Sequence, residues 1–138
     1  MTGVSSKVER KVAIIDENKS VLDAAAVMVE RYIGSVVVAN YSTIKGIFTE
    51  RDLSRIVAQK QNPAEVKLKD VMRTDLVRAN PKDSVEHCLN LMRTNRCRHL
   101  LIFEGEEFVG IVSLRDLAAL MLEDKEKLIS ELTKYISG

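Results

Sequence analysis

Apolar positions along this chain switch between two spacings, and the order of the spacings itself recurs. Val21, Ala24, Ala25, Met28 and Tyr32 come every three or four residues, which predicts an amphipathic helix ending near Gly34. Ser20 with Asp23 three positions on reads as an N-cap, hydroxyl and carboxylate each satisfying a backbone N–H of the first turn. Residues 35–39 are then β-branched and apolar on both faces. A run that short predicts a buried strand. Polar residues 40–43 supply a turn, residues 44–48 a second strand, and Thr49 caps a second helix over residues 50–59. Gly46, inside the second strand, leaves room for another backbone or a ligand to come close.

The series then starts again. Val85, Cys88, Leu89 and Met92 form a helical stripe, residues 100–103 a buried strand, 104–107 a turn and 108–112 its partner, with Ser113 capping a last helix. Gly46-Ile47-Phe48-Thr49-Glu50-Arg51-Asp52-Leu53 returns as Gly110-Ile111-Val112-Ser113-Leu114-Arg115-Asp116-Leu117, 64 residues later. The same offset carries Ser20-Val21 onto Ser84-Val85 and Met28 onto Met92. Whole units are therefore duplicated, which predicts a pseudo-twofold arrangement with two equivalent clefts. Gln61, Asn62 and Pro63 break the chain between the copies, residues 68–72 lead into a short strand at 76–79, and residues 11–15 are the matching lead into the first copy. These boundaries give a first repeat over 8–66, a second over 67–122 and a tail over 123–138. The tail keeps a helical pattern, with Leu128, Ile129, Leu132 and Ile136 on one stripe that suits the core or another subunit.

Composition narrows the function more than the fold. A chain of 138 residues suits one compact domain, whereas each half alone would bury a marginal core. A net charge of +1 supplies no field toward nucleic acid. The first eleven residues are mostly polar and charged with no apolar run, and no run of 18 apolar residues occurs anywhere, so a cytoplasmic protein without a membrane span is expected. His87, Cys88, Cys97 and His99 lie close in sequence, but neighbours on a helix point about 100° apart and the remaining pair offers two ligands only. Buried thiols are expected there, and no metal. No nucleophile stands beside a base and no glycine-rich phosphate loop is present, so an enzyme is not expected.

The twice-occurring string Gly-hydrophobic-x-Thr/Ser-x-x-Asp-hydrophobic, with Asp70-Val71-Met72 ahead of the second copy, resembles a tandem pair of cystathionine β-synthase (CBS) domains, a Bateman module. The resemblance covers residues 12–122. It implies an α/β (α+β) fold of two pseudo-symmetric CBS repeats, each a small sheet flanked by helices, packed as a Bateman module, and a disk-like dimer of such pairs. It also implies a regulatory module that senses an adenosine-containing nucleotide, AMP, ADP or ATP, in clefts between the repeats, with no required cofactor. The family's ribose-binding acid falls on Asp52 and Asp116, and its hydroxyl on Thr49 and Ser113. Its basic pair falls on Arg98 and His99, where the first repeat has Gly34-Ser35 instead. Backbone groups that hold the base fall near Ala13, Ile14 and Ile15 and near Thr74, Asp75 and Leu76. The implied partners are the adenine nucleotide, a second copy of the chain in a homodimer, and an effector protein.

The residue chemistry fits that assignment. A carboxylate accepts hydrogen bonds from two vicinal ribose hydroxyls, and a hydroxyl at a helix N-terminus suits a phosphate. Thr49-x-x-Asp52 and Ser113-x-x-Asp116 are equally capping-box sequences that can serve the helix alone. Two other functions stay open: a ligand-free interaction or dimerisation module, and a sensor of S-adenosylmethionine.

Overall fold

The structure, a computed structural model, describes the backbone of residues 3–137 and the side chains through Lys134. The chain divides into two compact units, Lys11–Leu76 and a second made of Met1–Arg10 with Val77–Gly138.

In the unit Lys11–Leu76 the elements run β1 (Ile14–Asp16), α1 (Val21–Arg31), β2 (Ser35–Asn40), β3 (Thr43–Thr49), α2 (Glu50–Ala58) and α3 (Leu68–Val71). The sheet order is β1-β2-β3, with β1 parallel and β3 antiparallel to β2. The central position of β2 explains its continuous apolar run, since both faces of Val36 to Ala39 are buried. Ser20 and Asp23 close the capping box at 3.0 and 3.1 Å. The Asp23 carboxyl is held below the usual carboxylate range, chiefly by the backbone N–H of Ser20. The core joins Val21, Ala24 and Met28 of α1 to Val36, Val38, Phe48, Ile56 and Leu68.

Leu68 belongs to the segment that follows the first repeat. Its N–H donates to the Lys19 carbonyl at 2.9 Å, and Arg73 exchanges two 3.0 Å backbone hydrogen bonds with Ile47 of β3. Gly46 is what admits this segment: a Cβ there would lie 2.6 Å from the Arg73 carbonyl oxygen.

The second unit repeats the plan with β4 (Arg78–Ala79), α4 (Val85–Asn95), β5 (His99–Glu104), β6 (Glu107–Ser113) and α5 (Leu114–Ser137), in sheet order β4-β5-β6. Every one of these elements begins 64 residues after its counterpart. The β-bulges match too, at Val38/Ala39 and Ile102/Phe103. The place of Leu68–Arg73 is taken by the chain's own N-terminal segment. Val4 is 0% exposed, as Leu68 is, and the Val4 N–H donates to the Asp83 carbonyl at 3.0 Å. Glu9 exchanges backbone hydrogen bonds with Ile111 at 2.8 and 3.1 Å, and a Cβ at Gly110 would collide with the Glu9 carbonyl.

The expected boundaries 8–66 and 67–122 accordingly differ from the compact units. Residues 67–76 pack with the first repeat and residues 3–10 with the second, because each glycine-bearing strand accepts a segment from outside its own repeat. Residues 123–138 are likewise no separate element up to Ser137; they continue α5, a single helix of 24 residues. Leu128, Ile129 and Leu132 are exposed along it, while the Ile136 side chain lies outside the described residues. Tyr32, expected on the apolar stripe of α1, is instead its left-handed C-cap at φ 55 and points into solvent. The helical period carries to Arg31 only, and the αL residue that ends it turns the side chain away. No helix among the described residues is long and apolar enough to cross a membrane.

Candidate functional site

Each repeat brings its candidate side chains to one end of its sheet. In the first, β2 begins at Ser35, which pairs with Thr49 at the end of β3. The Glu50 N–H donates to the Gly34 carbonyl at 3.0 Å, so α2 starts directly against the start of β2. In the second, His99 pairs with Ser113 and the Leu114 N–H donates to the Arg98 carbonyl at 2.8 Å. Gly34, Ser35, Thr49 and Asp52 thus form one end, and Arg98, His99, Ser113 and Asp116 form its counterpart.

The hydroxyl and carboxylate are locked together at both ends. Asp52 Oδ2 accepts the Thr49 N–H at 2.9 Å and the Thr49 hydroxyl at 3.1 Å, while the Asp52 N–H donates back to Thr49 Oγ1 at 3.4 Å. Asp116 Oδ2 accepts the Ser113 N–H at 2.8 Å and its hydroxyl at 2.9 Å, with the return bond to Ser113 Oγ at 3.1 Å. Capping therefore occupies one carboxylate oxygen in each repeat. The second oxygen differs. Asp52 Oδ1 accepts Arg55 Nη1 at 3.3 Å, whereas no donor reaches Asp116 Oδ1 among the described residues. Ala119 stands where the first repeat has Arg55.

The leading segments fall less evenly. Ala13 is buried and its carbonyl accepts the Val37 N–H at 2.9 Å, with Ile14 and Ile15 following in β1. Thr74, Asp75 and Leu76 do not form the equivalent strand. They make a turn closed by the Leu76 N–H on the Thr74 carbonyl at 3.0 Å, and they belong to the compact unit of the first repeat. Arg73 grips the Asp75 carboxylate at 2.7 and 3.1 Å, and this holds that carboxyl below its ordinary range. The register partners of Ala13 to Ile15 are Val77 to Ala79, with the Val77 carbonyl accepting the Leu101 N–H at 3.0 Å. The offset of 64 thus places the counterpart of β1 at 77–79, directly after Thr74, Asp75 and Leu76.

Arg78 is the counterpart of Ile14. Its guanidinium lies 4.0 Å from the centroid of the Phe103 ring, which also meets Phe108 edge-on at 5.4 Å. A cation fixed on an aromatic face marks the leading strand of the second repeat and has no equivalent in the first. Glu50 also escaped the sequence reading: a Cβ at Gly34 would lie 2.5 Å from its Oε1, so its carboxylate covers the glycine.

Both cysteines are thiols, Cys88 buried and Cys97 half-buried. Burial, with the Asp83 charge adding to it, pushes the Cys88 thiol up to about 11. No group of three or more metal-ligating side chains gathers among the described residues. A shallow depression of about 270 Å³ between α4 and α5, lined by Val85, Glu86, Leu89, Met121 and Asp124, contains none of the candidate residues.

The CBS domain model matches residues 4–59 and 68–123. The chain belongs to the CBS-domain family. Both matched stretches start at the buried anchors, Val4 and Leu68, so the family unit takes in each leading segment. The CBS domain-containing protein YhcV of Bacillus subtilis is 31% identical over 118 residues, covering 86% of this chain and 84% of that protein. A solved protein with CBS domains from Burkholderia ambifaria superposes with a TM-score of 0.82 at 29% identity, covering 88% of this chain and 92% of that one. The CBS domain pair of protein MJ0100, solved with 5′-methylthioadenosine and S-adenosyl-L-methionine, shares the fold at a TM-score of 0.80 and 19% identity, over 90% of this chain and 98% of that one. CBS pairs are regulatory ligand-binding modules, and this chain is such a pair.

Proposed function

We propose that this CBS pair senses an adenosine-containing ligand, AMP, ADP or ATP, held at the capped helix of each repeat. The observation that supports the reading is the half-used carboxylate: capping takes Oδ2 of Asp116 and leaves Oδ1 for a donor such as a ribose hydroxyl. Thr49 and Ser113 stand beside it at helix N-termini, where backbone N–H groups favour an anion. Arg98 and His99 add cationic and donor groups in the second repeat only. The adenosyl ligands of the MJ0100 pair support the nucleoside as the recognised part, and they keep S-adenosylmethionine as a second candidate.

Occupancy acts as a signal only if the ligand binds two arrangements of the protein unequally. A homodimer supplies such arrangements, and the exposed Leu128, Ile129 and Leu132 of α5 are apolar surface suited to it. An effector protein then reads the state of the module.

Calorimetry on Asp52→Ala and Asp116→Ala tests the reading. Each variant loses about 1.5 to 3 kcal/mol of nucleotide binding at one site. If both bind as the parent does and only their melting temperatures fall, the carboxylates are helix caps and nothing more.

A further inference from the structure

The Gly34–Glu50 arrangement differs from its counterpart by a paired exchange. In both repeats the backbone joins the first residue of the helix to the residue ahead of the central strand, at 3.0 Å for Glu50 N to Gly34 O and 2.8 Å for Leu114 N to Arg98 O. The side chains on that frame are swapped. The first repeat carries no side chain at 34 and a carboxylate at 50, which lies over the glycine. The second carries a guanidinium at 98 and an uncharged leucine at 114. Any side chain at 34 would displace Glu50, so glycine is the residue that lets an acid occupy this place. Neither Glu50 nor Arg98 has an ion-pair partner among the described residues, and both are exposed. Their charges are thus available to whatever lies at the end of the sheet.

We infer that Glu50 is a charge selector: the first repeat takes an adenosine derivative whose 5′ substituent is neutral or cationic, while the second takes one that carries phosphate. The inference rests on the ligand-binding reading above. In this inference the 5′ substituent of a ribose at Asp52 takes a path along the N-terminus of α2, whose first residue is Glu50. A phosphate there adds its negative charge to those of Glu50 and Asp52, and like charges a few ångströms apart repel. Arg55 offsets Asp52 through its 3.3 Å contact but is not bonded to Glu50. A sulfonium or a methylthio group meets no such penalty. In the second repeat the same path meets Arg98, whose fork of donors suits phosphate.

The test uses the full chain carrying Asp116→Ala, which leaves the first repeat's site to be read by calorimetry with AMP, adenosine and S-adenosylmethionine. AMP is expected to bind about tenfold or more weakly than adenosine, a gap that narrows as salt is raised. Adding Glu50→Gln should close most of that gap by strengthening AMP far more than adenosine. Gly34→Arg with Glu50→Leu, which copies the second repeat, should make AMP the tighter ligand. Should that double variant fail to fold, Glu50→Gln alone decides. An AMP-to-adenosine ratio that Glu50→Gln leaves unmoved, with adenosine still bound, overturns the selector and spares the ligand-binding reading. Failure of all three compounds to bind even the unmodified chain overturns both.

Discussion

In the first repeat Gly34 lies under Glu50 and Asp52 accepts from Arg55; in the second, Arg98 accompanies Leu114, Ala119 replaces the arginine, and no donor among the described residues reaches Asp116 Oδ1. Around these differences the two backbones keep step to the residue, through the strand pairs, the bulges and the capped helices. Ser20 and Ser84 cap the first helix of each repeat, and Gly46 and Gly110 admit a foreign segment at the same point of each sheet. Positions that shape the backbone have been held alike, and those that present charge at the end of the sheet have parted. The fold demands the first set. The proposed charge selection would act through the second.

The sharpest test of backbone equivalence is the pair of glycines. Gly46→Val and Gly110→Val should each cost about 3 kcal/mol or more, because the new atoms meet a carbonyl oxygen that is itself hydrogen-bonded and cannot move aside. Urea titration measures both. A tolerated Gly110→Val beside a damaging Gly46→Val would mean that the N-terminal segment is not anchored as the Arg73 segment is.

The anchors come next in size. Leu68→Ala and Val4→Ala should cost about 2 to 3 kcal/mol each, since both side chains are fully buried and their loss leaves a cavity. A negligible cost for Val4→Ala would break the claim that residues 3–10 complete the second repeat.

How far this could be read from the sequence follows from where the information lies. Helices, strands and caps were legible because period and capping residues are local, and the offset of 64 checked each element against its copy. Residues 1–11 read only as a polar stretch because Val4 and Val8 stand singly among polar residues; their meaning rests on hydrogen bonds from Val4 to Asp83 and between Glu9 and Ile111, 79 and 102 residues away, and on the match of Val4 to Leu68. Tyr32 continues the helical spacing on paper, yet the chain has already turned into the left-handed region there. Of the candidate site, the Thr49–Asp52 and Ser113–Asp116 pairs were legible as residues, and their geometry is that of a capping box. Glu50 was not, because nothing in its own neighbourhood says that its carboxylate folds back over Gly34.

Acidity separates the repeats in a way that pH can expose. Cys88 occupies the position of Ala24, and its thiol titrates near 11 in place of the ordinary 9.0. A folded pKa above the unfolded one means that stability is complete below pH 9 and is lost as pH rises through 9 toward 11. The slope reaches about 1.4 kcal/mol per pH unit at most for one proton. Cys88→Ala, which copies the first repeat, should remove this component of the alkaline loss. Denaturant melts at pH 8 and pH 10 compare the two proteins, and an identical alkaline loss would show that other groups govern it.

The smallest contrast lies at the tips of the hairpins. Tyr41 and Gly105 hold the same place in their turns, at φ 55 and φ 62, and Tyr41 is 97% exposed. A tyrosine in the left-handed region carries a steric cost of roughly 1 kcal/mol that glycine avoids, with no burial of the ring to offset it. Glycine gives part of this back, because it frees the unfolded chain. Tyr41→Gly should therefore stabilise by about 0.5 kcal/mol, and Gly105→Ala should cost about 1 kcal/mol although nothing lies within 4 Å of the added methyl. Space and backbone conformation are thus separated at one position. If Gly105→Ala proved neutral, the turn would have a second backbone solution open to it, and the strict correspondence of the two hairpins would end at their tips.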